Sequence, residues 1–192
     1  YIWRRCDFAA KLVAIRYDYT QSAVYPDGKQ ANSWGRDNGA ALPTGPAALL
    51  SIMTPVASQV EWLARQRVDY LITYPSNLEA MLRHCQAEMI RFPTLREVQT
   101  MSELLKPSIR ELCREVWDVG IVDMYTCQEA GYIALQCPEH EHYHAQAENM
   151  IVEVLMDDGS AAAPGQTGRV VITHLHNFAS PLIRYDIGDF AE

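Results

Sequence analysis

The sequence has no CxxC pair, no apolar run of membrane-spanning length and no excess of basic charge. Each absence closes off a class of function. The cysteines, Cys6, Cys85, Cys113, Cys127 and Cys137, are odd in number and widely scattered. That pattern fits reduced thiols in a cytoplasmic protein better than a disulfide framework. A spanning helix needs ~20 predominantly apolar residues in a row, so none is expected. Acidic residues number 24 against 16 Lys and Arg, a net charge of −8. That balance argues against a nucleic-acid backbone or an anionic membrane surface as the main partner, but not against a small anion held by backbone N–H groups. The start, Tyr1-Ile2-Trp3-Arg4-Arg5, has neither an initiator Met nor signal-peptide architecture, and Ala191-Glu192 is an equally abrupt end. The sequence therefore reads as a stretch of a longer protein. It carries no internal repeat and no low-complexity segment.

What is present is the composition of a globular domain, 48% hydrophobic and 21% charged over 192 residues. A chain of that length buries a real core. Lys11 to Tyr17 is strand-like, and Thr20 to Pro46 reads as a long connection, or a hairpin plus loop, around Tyr25-Pro26-Asp27-Gly28. Then periodicity takes over. Thr54-Pro55 signals a helix start, with Val56, Val60, Leu63 and Ala64 at helical spacing. A strand follows at Tyr70 to Thr73, then a helix to about Met89, whose apolar face is Leu78, Met81, Leu82, Cys85 and Met89. Ser76 and Glu79 have the spacing of a capping box at its start. A short strand at Glu97 to Met101, a helix from about Lys106 to Trp117 and a strand at Ile121 to Tyr125 complete the alternation.

Alternating helices and strands predict parallel pairing with crossover helices, and ligands beyond the carboxyl ends of the strands. After Gly131 the pattern turns mostly antiparallel. Strands are expected at Tyr132 to Gln136, Met150 to Met156 and Gly168 to His174, with a turn at Asp157-Asp158-Gly159 and a His-rich bend from Cys137 to His144. The fold class is thus α/β, a mainly parallel sheet followed by a mostly antiparallel β section. The expected division is 1–130, an α/β part, and 131–192, a β-rich part.

Chemistry concentrates in Pro181 to Phe190, PLIRYDIGDF. Gly188 permits a tight turn or a close backbone approach, and Asp189 places a carboxylate just past it. An ionised carboxylate is acceptor-only, so it can take both hydroxyls of a vicinal diol such as a ribose. Arg184 could contact phosphate or pair internally with Asp186 or Asp189.

Four segments, in order, carry a resemblance. They are QTMSELL from Gln99, DMYTCQEAGYIALQCP from Asp123, PGQTGRVVITHL from Pro164 and PLIRYDIGDFAE from Pro181. Together, over roughly residues 54–192, they resemble the adenylate-forming acyl-CoA synthetase superfamily, and within it the phenylacetate–CoA ligase-like group. The resemblance implies an acid–thiol ligase of the AMP-forming kind. Such enzymes join a carboxylic acid to ATP as an acyl-adenylate and pass the acyl group to coenzyme A, with Mg²⁺ as cofactor. The acid implied is aryl or related. Ser102 and Glu103 match a strand end lining the adenine. Tyr125 matches an aromatic residue beside adenine and substrate. Glu129 matches the catalytic acid that holds Mg²⁺, and Asp189 the ribose ligand.

This chain departs from many relatives, which have Gly-Gly-Glu at Met101-Ser102-Glu103 and Thr-Glu at Gln128-Glu129. The family's Ser/Thr/Gly-rich phosphate loop, and its small lid domain with a catalytic Lys, have no counterpart here. This stretch alone is therefore not expected to be fully active. Two features stay open. Tyr74 and Ser76 sit at a strand end suited to an acyl pocket, though strand termination and capping account for them. Cys137, His142 and His144, with His140 and Cys127 nearby, offer sulfur and imidazole ligands of the kind zinc takes, against an ordinary polar bend. A non-catalytic or zinc-stabilised module of the same fold is the alternative to a ligase.

Overall fold

The computed structural model describes residues 3–35 and 42–192. The part of the expected Thr20–Pro46 connection at 36–41, and the first two residues of the chain, lie outside the described residues. The chain divides into two compact units, Tyr1–Asp123 and Met124–Glu192.

The first unit is built on a sheet in the order β2 (Lys29–Ala31), β3 (Ala47–Ser51), β1 (Leu12–Arg16), β4 (Tyr70–Thr73), β5 (Glu97–Met101) and the opening residues of β6 (Gly120–Cys127). β1 pairs in parallel with both β3 and β4, and β4 in parallel with β5. β2 is an antiparallel edge on β3. Every residue of β4 is buried, which is what a strand covered on both faces requires. The helices α1 (Val56–Arg65), α2 (Pro75–Ala87) and α3 (Pro107–Trp117) are the crossovers. They and the strands close one apolar cluster around Ile15, Leu50, Trp62, Leu71, Leu82 and Val98.

The helix faces correct the sequence reading in detail. Pro55 is the N-cap of α1, not its first residue, and Trp62 rather than Ala64 completes the buried face. Helix α2 begins at Pro75 with Tyr74 as its N-cap, so Ser76 lies inside the first turn and the expected Ser76–Glu79 capping box does not form. Glu79 instead pairs with Arg83 one turn on. Met89, expected on the apolar face, falls past the helix end at φ 55° and is exposed.

In the second unit the closing residues of β6 pair antiparallel with β7 (Gly131–Gln136), which pairs antiparallel with β8 (Tyr143–Ala145). β9 (Met150–Leu155), β10 (Gly168–His174) and β11 (Tyr185–Ala191) form an antiparallel sheet with β10 central. Ile133 of β7 joins Met150, Val170 and Ile172 of this sheet in the buried centre of the unit. The turn at Asp157-Asp158-Gly159 is present and leads to a single bridge between Leu155 and Ala161 before the chain reaches β10. The expected His-rich bend is present from Pro138 to His142, and the last two residues expected in it, Tyr143 and His144, open β8. The PLIRYDIGDF segment, where Gly188 suggested a tight turn, is mostly β11.

All five cysteines are free. Burial pushes the Cys85 thiol up to about 11 and the Cys113 thiol up to about 12, which makes both poor nucleophiles. Among the described residues no helix is long and apolar enough to cross a membrane.

Candidate functional site

The first unit ends its parallel strands in a polar network. Thr73 Oγ1 donates to the Ile15 carbonyl at 2.9 Å. Asn77 Nδ2 donates to Thr73 Oγ1 at 3.0 Å and to Gln59 Oε1 at 2.8 Å, and Gln59 Nε2 donates to the Thr54 carbonyl at 2.7 Å. Gln59 is fully buried yet bonded at both ends of its amide, as a buried polar side chain must be. The sequence signal was a Gln on the apolar stripe of α1, three residues after Val56. Beside it, Thr100 Oγ1 donates to the buried Asp123 carboxylate.

Asp18, which sequence reasoning passed over, organises the turn after β1. Its carboxylate accepts from the Thr20 hydroxyl at 2.6 Å and from the N–H groups of Thr20, Ser22 and Ala23. Those bonds, the Thr20 hydroxyl first, hold its carboxyl well below the usual carboxylate range.

Beyond β5 the chain turns at Ser102 with φ 66°, a left-handed conformation that a Cβ disfavours. Glu103, expected near an adenine, is engaged inside the unit. Its two carboxylate oxygens accept from the backbone N–H and the hydroxyl of Ser76, at 2.8 and 2.9 Å. It thus caps α2 across 27 positions of sequence. The Tyr74 hydroxyl, on the same strand end, accepts from the Tyr17 N–H at 3.2 Å.

The second unit brings Tyr125 and Asp189 together. The Tyr125 hydroxyl donates to Asp189 Oδ2 at 2.8 Å. Burial first, and the Asp189 carboxylate second, push the Tyr125 phenol far above its usual range, so it remains the donor. Tyr125 sits where the β6–β7 ladder shifts register. Asp189 lies in β11, immediately after Gly188 at φ 83°. There the β10–β11 ladder is also irregular, because Arg169 pairs with Phe190 and Val171 with Asp186, leaving three β11 residues opposite Val170 alone. This bulge re-aims the strand, and its ends are pinned. Asp186 accepts from Arg169 at 2.6 Å and from the Gly188 N–H at 3.0 Å.

Glu129 lies in the turn that joins β6 to β7, between the paired Cys127 and Gly131, and is exposed. Burial, with Glu129's carboxylate adding to it, raises the Cys127 thiol. Arg184 pairs with neither Asp186 nor Asp189, the internal partners weighed against a phosphate contact. Its guanidinium lies side-on to Glu153, with Nε and Nη2 at 3.2 and 3.3 Å from the two carboxylate oxygens. Asp186 has Arg169 instead, because the bulge and the antiparallel register set Asp186 across from β10.

Cys137, His142 and His144 also converge, with their ligand atoms all within 4.8 Å of one another. His140 stacks on His142, ring centroids 5.3 Å apart.

No protein-family profile and no curated protein matches the sequence. Solved structures do match the fold. A 2-hydroxyisobutyryl-CoA ligase in its postadenylation state with 2-HIB-AMP superposes with a TM-score of 0.76, at 17% identity, over 98% of this chain and 40% of that one. The anthranilate CoA ligase AuaEII in complex with anthranoyl-AMP gives 0.64 at 15% identity, over 87% of this chain and 32% of its own. A long-chain-fatty-acid-CoA ligase, FadD1 from Archaeoglobus fulgidus, gives 0.63 at 13% identity, over 88% and 35%. The chain spans well under half the length of each of these ligases. At these identities the likeness is one of fold, and the fold is that of the adenylate-forming CoA ligases.

Proposed function

We propose that this chain, with the fold of the CoA ligases, is part of an ATP-dependent carboxylate–CoA ligase whose nucleotide is held by Asp189. The reading rests on one observation, the bond from Tyr125 to Asp189 at the β11 bulge. It holds an exposed carboxylate beside a half-buried aromatic ring, the pair of surfaces that a ribose and a purine require. One carboxylate oxygen, Oδ2, accepts from Tyr125, and Oδ1 and the spare lone pair of Oδ2 remain for two ribose hydroxyls.

The reaction proposed has two halves. A substrate carboxylate attacks the α-phosphorus of ATP, giving an acyl-adenylate and releasing pyrophosphate. The thiol of coenzyme A then attacks the acyl carbon, giving a thioester and releasing AMP. Asp189 orients the nucleotide in both. Glu129 is the residue that would hold Mg²⁺, which supplies charge neutralisation on the phosphates. An exposed single carboxylate suits an ion that takes one or two carboxylates and fills its other positions with water and phosphate oxygens. The acid proposed is aryl or related.

The test is carboxylate-dependent ATP–pyrophosphate exchange by the full-length protein, over a panel of aryl, hydroxy and fatty acids. Glu129→Gln is expected to slow adenylation at least about tenfold. Asp189→Ala is expected to weaken ATP binding about tenfold, and to remove most of the wild type's penalty for a 2′-deoxy nucleotide. An Asp189→Ala variant that discriminates against the deoxy nucleotide as strongly as wild type does overturns the ribose assignment.

A further inference from the structure

Only the β7 arm of the β7–β8 hairpin is anchored by burial. All three residues of β8 are exposed, and the connection from Pro138 to His142 is exposed throughout. A short strand with no buried side chain contributes little by apolar burial. Yet three metal-binding side chains meet there. Gln136 pairs with Tyr143, and the Cys137 N–H donates to the His142 carbonyl at 2.8 Å, so Cys137 and His142 face each other at the turn end of the ladder. His144 is two residues beyond His142, and side chains two apart along a strand share a face.

The three ligand atoms gather close to the spacing that one ion imposes. A tetrahedral zinc with bonds of about 2.0–2.3 Å holds its ligand atoms roughly 3.3–3.6 Å apart. His142 Nε2 and His144 Nε2 are 3.1 Å apart, and the Cys137 sulfur lies within 4.8 Å of both. We infer that Cys137, His142 and His144 bind a zinc ion that staples the β7–β8 hairpin. A thiolate with two imidazoles selects zinc over the hard ions magnesium and calcium. Three protein ligands leave the fourth tetrahedral position to water. His140, stacked on His142, stands outside the ligand set, as does Cys127. The site stands on hairpin geometry and does not depend on the ligase reading.

The test uses tag-free protein purified without chelators. Elemental analysis is expected to find about one zinc per chain, falling below about a tenth in Cys137→Ala and in His144→Ala but unchanged in His140→Ala. A chelator is expected to lower the melting temperature of wild type and leave that of Cys137→Ala unmoved. If Cys137→Ala fails to fold, Co²⁺-substituted wild type decides, since a thiolate ligand gives a sulfur-to-cobalt charge-transfer band. Wild type that takes up less than about a tenth of a zinc when loaded, or a cobalt derivative without that band, overturns the site. So does Cys137→Ala at full occupancy.

Discussion

Removing the Glu103 carboxylate should loosen the start of α2. Tyr74, the N-cap, makes no side-chain capping bond, and the first turn carries no acidic residue. Pro75 has no N–H to satisfy, which leaves Ser76 as the first donor inside the helix. Glu103 satisfies both the Ser76 N–H and its hydroxyl. A lost capping acceptor costs ~0.5–2 kcal/mol, and a lost negative charge at the positive end of the helix dipole ~0.3–1 kcal/mol. The pair is exposed, so the lower halves of those ranges apply, and Glu103→Ala should cost about 1–2 kcal/mol. For a chain of this size that is a fall in Tm of roughly 2–8 °C. Glu103→Gln keeps one acceptor and should lose about half as much. Ser76→Ala removes only the hydroxyl bond, worth about 0.5–1 kcal/mol. Once Glu103 is Ala that bond is already gone, so the double variant should be no less stable than Glu103→Ala alone. Urea unfolding of the four proteins measures this cycle. Additivity within about 0.3 kcal/mol would refute the hydroxyl bond, and a Glu103→Ala variant as stable as wild type would refute the cap.

Asp18 should make the protein acid-sensitive. Its folded carboxyl is depressed, so its contribution is complete above the unfolded carboxylate value near pH ~4 and is lost as pH falls through the folded one. Melting temperatures of Asp18→Asn should lie below wild type at pH 7 and converge on it in strong acid; a gap that stays constant with pH would contradict this. Gly28→Ala should destabilise by about 2–4 kcal/mol, combining left-handed backbone with overpacking. Its φ is 65°, and an added Cβ would lie 2.8 Å from both the Leu49 carbonyl oxygen and the Trp62 ring. A urea midpoint within experimental scatter of wild type would show that the neighbours give way.

The central alternation was readable because both local signals agreed there. Tyr70–Thr73 and Glu97–Met101 were delimited correctly as strands, since helix starts and stops flank short apolar runs on both sides. β3 was missed. Its sequence, AALLS, has neither β-branched residues nor alternation, and it is a strand because β1 and β2 pair with it. β11 was missed for the opposite reason. Gly188 and its flanking Asp residues carry a turn signature, but the backbone resolves it as a bulge within a ladder. The α2 cap was beyond any local reading, because the acceptor comes from Glu103, past another strand. At the candidate site, the types of Tyr125 and Asp189 were legible and their hydrogen bond was not. Arg184's true partner, Glu153, lies 31 positions away.

The Tyr125–Asp189 bond has an entropic consequence. A free carboxylate on a strand samples several rotamers, and a ligand that captures one of them must freeze it. Immobilising a rotamer-rich side chain costs about 0.5–1.5 kcal/mol of binding free energy. Asp189 is already held at Oδ2 by a phenol whose own ring is half-buried, so that freezing is complete before any ligand arrives. Tyr125 therefore acts as a placeholder. It spends folding free energy to keep one acceptor aimed, and whatever pair of donors reaches Asp189 meets a group with little left to lose.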